Sequence, residues 1–294
     1  SMAVQYSRGC PYNCEFCDIV YLNGREPRVK SNEQMLKEFD SLYNIGWRGS
    51  LFIVDDNFIG NRLQVKTLLR KLIPWQAARN FPFTLYTQAT VNLALDEELM
   101  QLMTAAGFDS IFLGIETPEK DCLLECGKYQ NLQIDIVEAV KTIQRHGMEV
   151  TGGFIIGFDS DPPDIFERQI KFLQDSGIVR AMIGLLHAPP GSRLYKRLKK
   201  EGRLLEITSG DNCDGSMNFI PKMGYDFIRK EYHHLLNNIY SPRQYYLRVL
   251  EFLNTYVPAR RHPVTVLGIV AFLNIILHLG ILDNWRNSVY FWKL

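Results

Sequence analysis

The sequence predicts an α/β fold with six strand–helix units followed by a mainly helical extension. Apolar runs of five to ten residues recur through residues 1–205, with amphipathic stretches between them. This alternation is typical of a parallel sheet with helices packed outside it. After about residue 205 the pattern changes to a mixed, aromatic-rich region, so we place a core domain at 1–205 and a helical extension at 206–294.

The elements follow in order along the chain. The predicted strands are Ala3–Ser7, Ser50–Asp56, Phe83–Ala89, Ser110–Glu116, Glu149–Phe158 and Arg180–Ala188. The predicted helices are Ser31–Gly46, Arg62–Ile73, Asp96–Gly107, Asn131–Gly147, Pro163–Gly177 and Arg193–Gly202. Ser31 and Gln34 have the spacing of a capping box, and Asp96 is the expected cap of the third helix. Gly147 is a typical helix stop.

Polar side chains lie at the carboxyl ends of five predicted strands. They are Asp55, Asp56, Asn57, Thr87, Gln88, Glu116, Asp159 and His187. A helix cap or a turn would explain any one of them alone. Because parallel strands end at a common edge where active sites gather, the set together predicts a polar site there.

Composition excludes several classes of protein. The chain has 294 residues, of which 46% are apolar and 22% charged, as in an ordinary globular enzyme. The net charge of +1 gives no basic excess, so we expect no nucleic-acid partner. The start of the sequence does not read as a secretory leader, and the cysteines cluster like metal ligands. A cytoplasmic, reducing location is therefore expected.

One apolar stretch points towards a membrane. Val264–Leu282 has about the length that spans a bilayer, and Arg260 and Arg261 precede it. It also contains Asn274 and His278. The alternatives are a buried or interface-lying helix of a soluble enzyme, and a helix that contacts or spans a membrane.

Three cysteines within eight residues form the strongest motif. Cys10, Cys14 and Cys17 have the spacing C-x3-C-x2-C, and Gly9 and Pro11 allow a sharp turn. A structural zinc site takes four ligands, but no fourth cysteine is near. Thiolates suit an iron–sulfur cluster, in which three ligands leave one iron open for chemistry. Zinc binding and unrelated free thiols remain the alternatives.

This loop, placed after the first strand of a six-fold βα pattern, resembles that of the radical S-adenosylmethionine (SAM) superfamily, with Phe16 in the aromatic position. The resemblance covers roughly residues 3–200 and implies a partial (β/α)6 TIM-like barrel. SRGCPYNCEFCDI, VDDNFIGN, LGIET, GKYQN and GGFIIGFDSD resemble a subgroup that usually carries an upstream cobalamin (B12)-binding domain and often a C-terminal extension. Hopanoid and bacteriochlorophyll methylases belong to that wider group.

The resemblance implies roles for the loop residues. Cys10, Cys14 and Cys17 would hold a 4Fe–4S cluster whose open iron chelates SAM. Reductive cleavage of SAM would give a 5′-deoxyadenosyl radical that abstracts hydrogen from a substrate. Phe16 would lie beside the adenine; its alternative role is that of a core aromatic residue.

The same resemblance implies residues that bind SAM. Asp55 or Asp56 would accept a charge-assisted hydrogen bond from the SAM ammonium, where many relatives have Gly-Gly-Glu. Capping of the next helix is the alternative role for these aspartates. Glu116 would lie near the methionine or ribose of SAM, or else form a structural ion pair.

Further residues would surround the adenine. Gly153, Ile155 and Gly157 resemble the G-x-I-x-G of the fifth strand, where glycines allow close approach of a ligand. His187 would border the same region as a ligand or acid–base group, or serve as a structural histidine. The GKYQN signature at 127–131 has no chemical role assigned from the sequence.

The first predicted strand begins at about Ala3, which leaves no room for a cobalamin domain in this sequence. We therefore expect either a fragment of a longer cobalamin-dependent enzyme, which favours methylation of an unactivated carbon, or a short enzyme without cobalamin. The second case implies only SAM cleavage and hydrogen abstraction, with a rearrangement or cyclisation as the alternative reaction. A non-enzymatic iron–sulfur or zinc protein is the remaining alternative, and it would not cleave SAM.

The expected partners are a small-molecule substrate and an electron donor such as flavodoxin or ferredoxin. The aromatic-rich extension and the apolar C-terminal segment favour a lipid-like substrate or peripheral membrane contact. The expected location is therefore cytoplasmic, with membrane association as the alternative.

Overall fold

The computed structural model describes residues 1–205, 214–260, 266–282 and 285–293. Its strands are β1 (Met2–Val4), β2 (Ser7–Arg8), β3 (Arg28–Val29), β4 (Gly49–Ile53), β5 (Phe83–Ala89), β6 (Phe108–Glu116), β7 (Glu149–Ile156) and β8 (Arg180–Leu185). Six of them form a parallel sheet in the order β1-β4-β5-β6-β7-β8. β2 and β3 form a separate antiparallel pair. The predicted α/β class with parallel strands is confirmed.

Helices connect these strands and continue beyond them. They are α1 (Ile19–Asn23), α2 (Asn32–Asn44), α3 (Arg62–Ala77), α4 (Glu97–Ala106), α5 (Lys120–Glu125), α6 (Ile136–Arg145), α7 (Ile165–Ser176), α8 (Arg193–Lys200), α9 (Tyr225–Ile239), α10 (Pro242–Thr255), α11 (Val266–Ile275) and α12 (Trp285–Phe291). Short 3₁₀ turns span Phe58–Asn61, Val91–Leu95 and Tyr129–Asn131, and a π-helix spans Ile276–Leu282.

The two faces of the sheet differ in burial. Along β5, buried residues such as Leu85 alternate with half-buried ones such as Tyr86. Because successive side chains point to opposite faces, one face belongs to the hydrophobic core and the other remains partly open. On the open face the rings of Phe52 and Tyr86 stack with centroids 4.6 Å apart.

Strands β1, β4, β7 and β8 all end earlier than the sequence predicts. At β1 and β7 the reason is that side chains accept hydrogen bonds from the backbone beyond the strand. The N–H groups of Tyr6 and Ser7 donate to Asp55 at 2.7 and 2.9 Å, so β1 ends at Val4. Likewise Gly157 and Phe158 donate to the Asp161 side chain, and β7 ends at Ile156.

The predicted helix caps are confirmed. Ser31 and Gln34 form both hydrogen bonds of a capping box, and the Asp96 carboxylate accepts from the Leu99 N–H. The fourth predicted helix begins later than expected, at Ile136, because a 3₁₀ turn occupies Tyr129–Asn131. That difference frees the GKYQN signature to approach the strand ends.

The described part of the extension is mainly helical, as predicted. α10 packs on α6 and α7, and α9 packs on α7. Arg248 is fully buried and donates to the carbonyls of Ile239 and Val179, which fastens α10 to the core. Burial lowers the pKa of this guanidinium.

The apolar C-terminal stretch has large exposed side chains. Phe272, Leu273 and Ile281 are among the exposed apolar residues of 266–282. Val264, at the start of the predicted stretch, lies outside the described residues. None of the helices among the described residues is both long and apolar enough to cross a bilayer.

Candidate active site

The cysteine loop follows β2 at the carboxyl edge of β1. Cys14 is buried, whereas Cys10 and Cys17 are partly exposed. The Cys17 N–H donates to the Cys14 carbonyl at 3.2 Å, which turns the chain back towards Cys14. Burial raises the pKa of all three thiols, and that of Cys17 to about 12, with the neighbouring thiols adding to the effect. Burial therefore disfavours the thiolate form here, and a bound cation would favour it.

Gly9 shapes the entrance to this loop. Its φ is +104°, and a Cβ at this position would lie 2.8 Å from the Glu26 carbonyl oxygen. Its N–H donates to Asp56 Oδ2 at 2.7 Å, and Asn23 Nδ2 donates to the same oxygen at 3.0 Å. Asp56 thus fixes both ends of the turn that contains the cysteines.

Asp55 fixes the chain just before that turn. Its Oδ1 accepts from Tyr6 N, and its Oδ2 accepts from Ser7 N and from Ser7 Oγ at 2.7 Å. Burial raises the pKa of Asp55 despite these hydrogen bonds. Both of its carboxylate oxygens therefore have protein donors.

The GKYQN signature at 127–131 forms a second wall of the site. Lys128 is buried and its ammonium pairs with Glu116 at the end of β6. Both side chains lie against Gly114, where a Cβ would come within 2.8 Å of Lys128 Nζ. Burial lowers the pKa of Lys128, but Glu116 and the Cys14 thiolate outweigh it, so the pKa is raised and the amine is charged.

Two carboxamides point at the cysteine sulfurs. Gln130 Nε2 lies 4.0 Å from Cys14 Sγ, and Asn57 Nδ2 lies 4.0 Å from Cys10 Sγ. Both residues are buried. The Oδ1 atom of Asn57 is buried and has no hydrogen-bond partner among the described residues.

Glu116 holds an unusual backbone conformation. Its φ is +66°, and the register between β6 and β7 shifts between Gly114 and Glu116. A left-handed non-glycine residue costs about 1–3 kcal/mol, and such residues concentrate at functional sites. The strained turn directs Glu116 towards Lys128 rather than along the sheet.

The end of β7 and its surroundings contain the residues predicted near the adenine. A Cβ at Gly153 would lie 2.6 Å from the Phe112 ring, so this glycine admits an aromatic side chain. Ile155 is half-buried, and Gly157 has φ +110°. The Phe16 and Phe158 rings meet edge to face with centroids 6.2 Å apart.

His187, at the end of the sixth strand, contacts the C-terminal part of the chain. Its Nε2 lies 2.8 Å from the Ser216 carbonyl oxygen. Asn218 exchanges two hydrogen bonds of 2.9 Å with the backbone of Ala188. The roles that the resemblance implies for His187, for Phe16 and for the β7 residues stay predictions.

A network of salt bridges joins the cysteine loop to α8 and to neighbouring loops. Arg197 on α8 donates to Glu15 at 2.8 Å and to Asp159 at 2.8 Å, and it also contacts Glu125. Burial alone would raise the pKa of Asp159, but Arg203 and Arg197 lower it to about 2. No sequence pattern distinguishes Arg197, because one arginine in a basic helix looks like a solvated residue.

A cavity of about 820 Å³ lies along the open face of the sheet. Its lining includes Phe52, Tyr86, Gln88, Phe112, Thr151 and Met182. Phe252 and Tyr256 of the extension also line it. The cavity reaches towards the amino ends of the strands. The cysteine loop lies at the carboxyl ends of the strands, so it does not line this cavity.

The spacing of the potential metal ligands suits an iron–sulfur cluster better than a single metal ion. Among the described residues, no three His, Cys, Asp or Glu side chains converge closely enough to hold one metal ion. A cluster instead distributes its thiolate ligands over different irons, so wider spacing is suitable. The glycine cradle, the buried and half-buried thiols and the amides aimed at two of them fit such a cluster.

Family comparison agrees with this site. Residues 4–173 match the radical SAM superfamily, and the chain belongs to it. Its members use a 4Fe–4S cluster and SAM, which are therefore cofactors of this chain. Residues 192–294 match a domain of unknown function, DUF4070.

Curated relatives are methyltransferases by name. An uncharacterised methyltransferase of Synechocystis sp. is 45% identical over 83% of this chain and 46% of its own length. The hopanoid C-2 methylase of Rhodopseudomonas palustris is 37% identical over 99% of this chain and 56% of its own length. The chain thus spans about half the length of these relatives.

Solved structures share the fold. TsrM from Kitasatospora setae, with cobalamin and a 4Fe–4S cluster bound, has a TM-score of 0.62 at 17% identity, over 79% of this chain and 43% of TsrM. The cobalamin-dependent SAM radical enzyme OxsB has a TM-score of 0.62 at 14% identity, over 100% of this chain and 49% of OxsB. The radical SAM type of fold predicted from the sequence is confirmed.

Proposed function

We propose that this chain is the radical SAM part of an enzyme that methylates an unactivated carbon of a small, lipid-like substrate with the help of cobalamin. The observation that carries the proposal is the glycine-shaped cysteine loop, held against β1 by Asp55 and Asp56. The core at 1–205 would perform the radical chemistry, and the extension at 206–294 would complete the substrate side.

The residues of the chain hold and orient the cofactors. When bound, the cluster and SAM supply a one-electron cleavage that yields a hydrogen-abstracting radical. Cys10, Cys14 and Cys17 would ligate the cluster. The buried residues of the GKYQN wall would exclude water from it.

Asp56 is the better of the two aspartates for the SAM ammonium. Three donors occupy both oxygens of Asp55, whereas the two hydrogen bonds to Asp56 both go to Oδ2. Glu116 would face the methionine or ribose of SAM, with Lys128 balancing its charge. Phe16, Gly153, Ile155, Gly157 and His187 would surround the adenine.

Methylation is supported by the names of the relatives and by the cobalamin in the TsrM and OxsB structures. Cobalamin would be held by a domain outside the described residues. A reaction without cobalamin, such as a rearrangement or cyclisation, is the second candidate.

The exposed apolar side chains of 266–282 support a lipid-like substrate and peripheral contact with a membrane. A flavodoxin or ferredoxin would supply the electron. Co-sedimentation with phospholipid vesicles tests the membrane contact. The variant Phe272→Ser, Leu273→Ser should bind less than wild type, and equal binding would contradict this part of the proposal.

The decisive experiment measures SAM cleavage. The protein is reconstituted anaerobically with iron and sulfide, then given SAM and dithionite, and 5′-deoxyadenosine is measured by mass spectrometry. Wild type and Cys122→Ala should produce it. The triple variant Cys10→Ala, Cys14→Ala, Cys17→Ala should bind no cluster and produce none; activity in that variant would refute the proposal.

Methyl transfer needs a separate measurement. With hydroxocobalamin, dithionite and SAM whose methyl group is deuterated, SAM is the source of every transferred methyl group, and a hopanoid substrate should gain the mass of the labelled methyl group. A product with the same number of carbon atoms as the substrate would favour the rearrangement or cyclisation.

A further inference from the structure

We propose that Gln130, Asn57 and Lys128 form a tuning set that raises the reduction potential of the cluster on the cysteine loop. This inference rests on the proposed function, because it presupposes that cluster. It assigns a role to the GKYQN signature, whose Gln130 and Lys128 belong to the set, and to Asn57 of VDDNF.

The first element of the argument is the placement of N–H donors. Gln130 and Asn57 each direct an amide nitrogen to within 4.0 Å of a different cysteine sulfur. Both side chains are buried, so water does not compete for these sulfurs from the same side. A hydrogen bond to a ligating sulfur withdraws electron density from it.

The second element is a buried cation. Lys128 is buried and lies two positions before Gln130, whose amide reaches Cys14 Sγ, and its ammonium pairs with Glu116 at the end of β6. In a site of low dielectric constant such a charge acts strongly.

The third element is the rigidity of the segment. Asn131 donates from its side chain to the carbonyls of Gly114 and Ile115 at 3.3 and 3.0 Å. The Cys126 carbonyl accepts from the Glu15 N–H at 2.7 Å, which joins this segment to the cysteine loop. The donors therefore keep fixed positions when the cluster gains charge.

Reduction adds one electron and makes the cluster more negative. Fixed N–H donors and a cation stabilise the reduced form more than the oxidised form, so the potential rises. The benefit for the enzyme is easier acceptance of the electron from its donor. These are positioning and tuning residues, because none of them is a ligand of the iron.

The test is a redox titration of the reconstituted protein, followed by electron paramagnetic resonance of the reduced cluster. Gln130→Leu should shift the reduction equilibrium about tenfold towards the oxidised form, which is about 59 mV for one electron. Asn57→Leu should shift it in the same direction. Gln101→Leu makes the same chemical change on an exposed face of α4 and should leave the potential unchanged.

The outcomes separate the two proposals. A wild-type protein without a reducible cluster that depends on the three cysteines would refute the proposed function and this inference with it. A reducible wild-type cluster whose potential is the same in Gln130→Leu and Asn57→Leu would refute this inference alone. Gln130→Met retains the length of the side chain but has no N–H donor. It should shift the potential as much as Gln130→Leu does, and an unchanged potential in Gln130→Met would refute the role of the N–H group.

Discussion

Lys128 and Glu116 form a buried ion pair against Gly114, where the fourth strand of the core ends. The two residues come from motifs twelve positions apart in the chain. Their contact joins a strained strand end to the GKYQN signature, and both face the cysteine loop. The pair is therefore a structural link between the end of β6 and the GKYQN segment that borders the cysteine loop.

Removal of one partner of this pair should destabilise the fold. Lys128→Met leaves a buried carboxylate without its cation, which costs about 3–5 kcal/mol. The free energy of unfolding in urea, measured without oxygen, gives the value. Lys71→Met breaks the exposed pair with Glu33 and should change little. Equal effects of the two variants would contradict the buried pair.

Gly9 and Gly46 provide a matched pair of substitutions. Both have positive φ, but a Cβ at Gly9 meets the backbone at 2.8 Å, whereas one at Gly46, in the exposed turn after α2, meets nothing within 4 Å. Gly9→Ala should therefore bind much less iron after reconstitution, while Gly46→Ala should lose only the stability that backbone strain removes. Iron per chain is the measurement, and full loading of Gly9→Ala would be evidence against the cradle.

Asp161 should make stability depend on pH. Burial raises the pKa of its carboxyl to about 6, even though Gly157, Phe158 and Cys122 donate to it, and Glu125 adds to the rise. Between its ordinary pKa of 3.8 and about 6, the native state binds more protons than the unfolded state. Stability contributed by this group is thus present at low pH and falls as pH rises through that window, by roughly 3 kcal/mol in all.

Asp161→Asn tests this sign. The amide retains an oxygen for the backbone donors but does not titrate, so the variant should lose the part of the pH slope that the carboxyl causes. Unfolding free energies at pH 5, 6 and 7 give the slope. The exposed Asp121→Asn should keep the wild-type slope. A wild-type slope in Asp161→Asn would show that the carboxyl is ionised throughout.

Arg197 should control how firmly the cysteine loop is held. Arg197→Met removes hydrogen bonds to the carboxylates of Glu15 and Asp159, and we expect a loss of about 2 kcal/mol. The loop should then lose iron faster to a chelator. Arg168→Met, which removes exposed ion pairs on α7, is the control. Identical rates of iron loss would mean that the network is independent of the loop.

The strand edges show why local patterns predict some boundaries and not others. The capping box at Ser31 depends on residues three positions apart, and the sequence predicts it correctly. The end of β1 depends on Asp55, which is 49 positions away from Tyr6. The local residue pattern of the first strand cannot indicate a contact with so distant a residue. The predicted strand was therefore too long.

The candidate site likewise contains some residues that a local sequence pattern indicates and others that only the tertiary structure reveals. The spacing of Cys10, Cys14 and Cys17 indicates a cluster because three soft ligands within one turn have few other uses. Lys128 and Gln130 carry no such signal, since a lysine or glutamine after a helix is ordinarily solvated. Only their burial beside Glu116 and Cys14 distinguishes them.

The sequence by itself determined the α/β class, the helix caps and the radical SAM cysteine loop, because these depend on residue type and short spacing. The tertiary structure decided which side chains surround the thiols, and that Asp55 is occupied by backbone donors while Asp56 fastens the loop. It also decided that Glu116 faces a buried cation. These contacts join residues far apart in the chain, and only the folding of the sheet brings them within hydrogen-bonding distance.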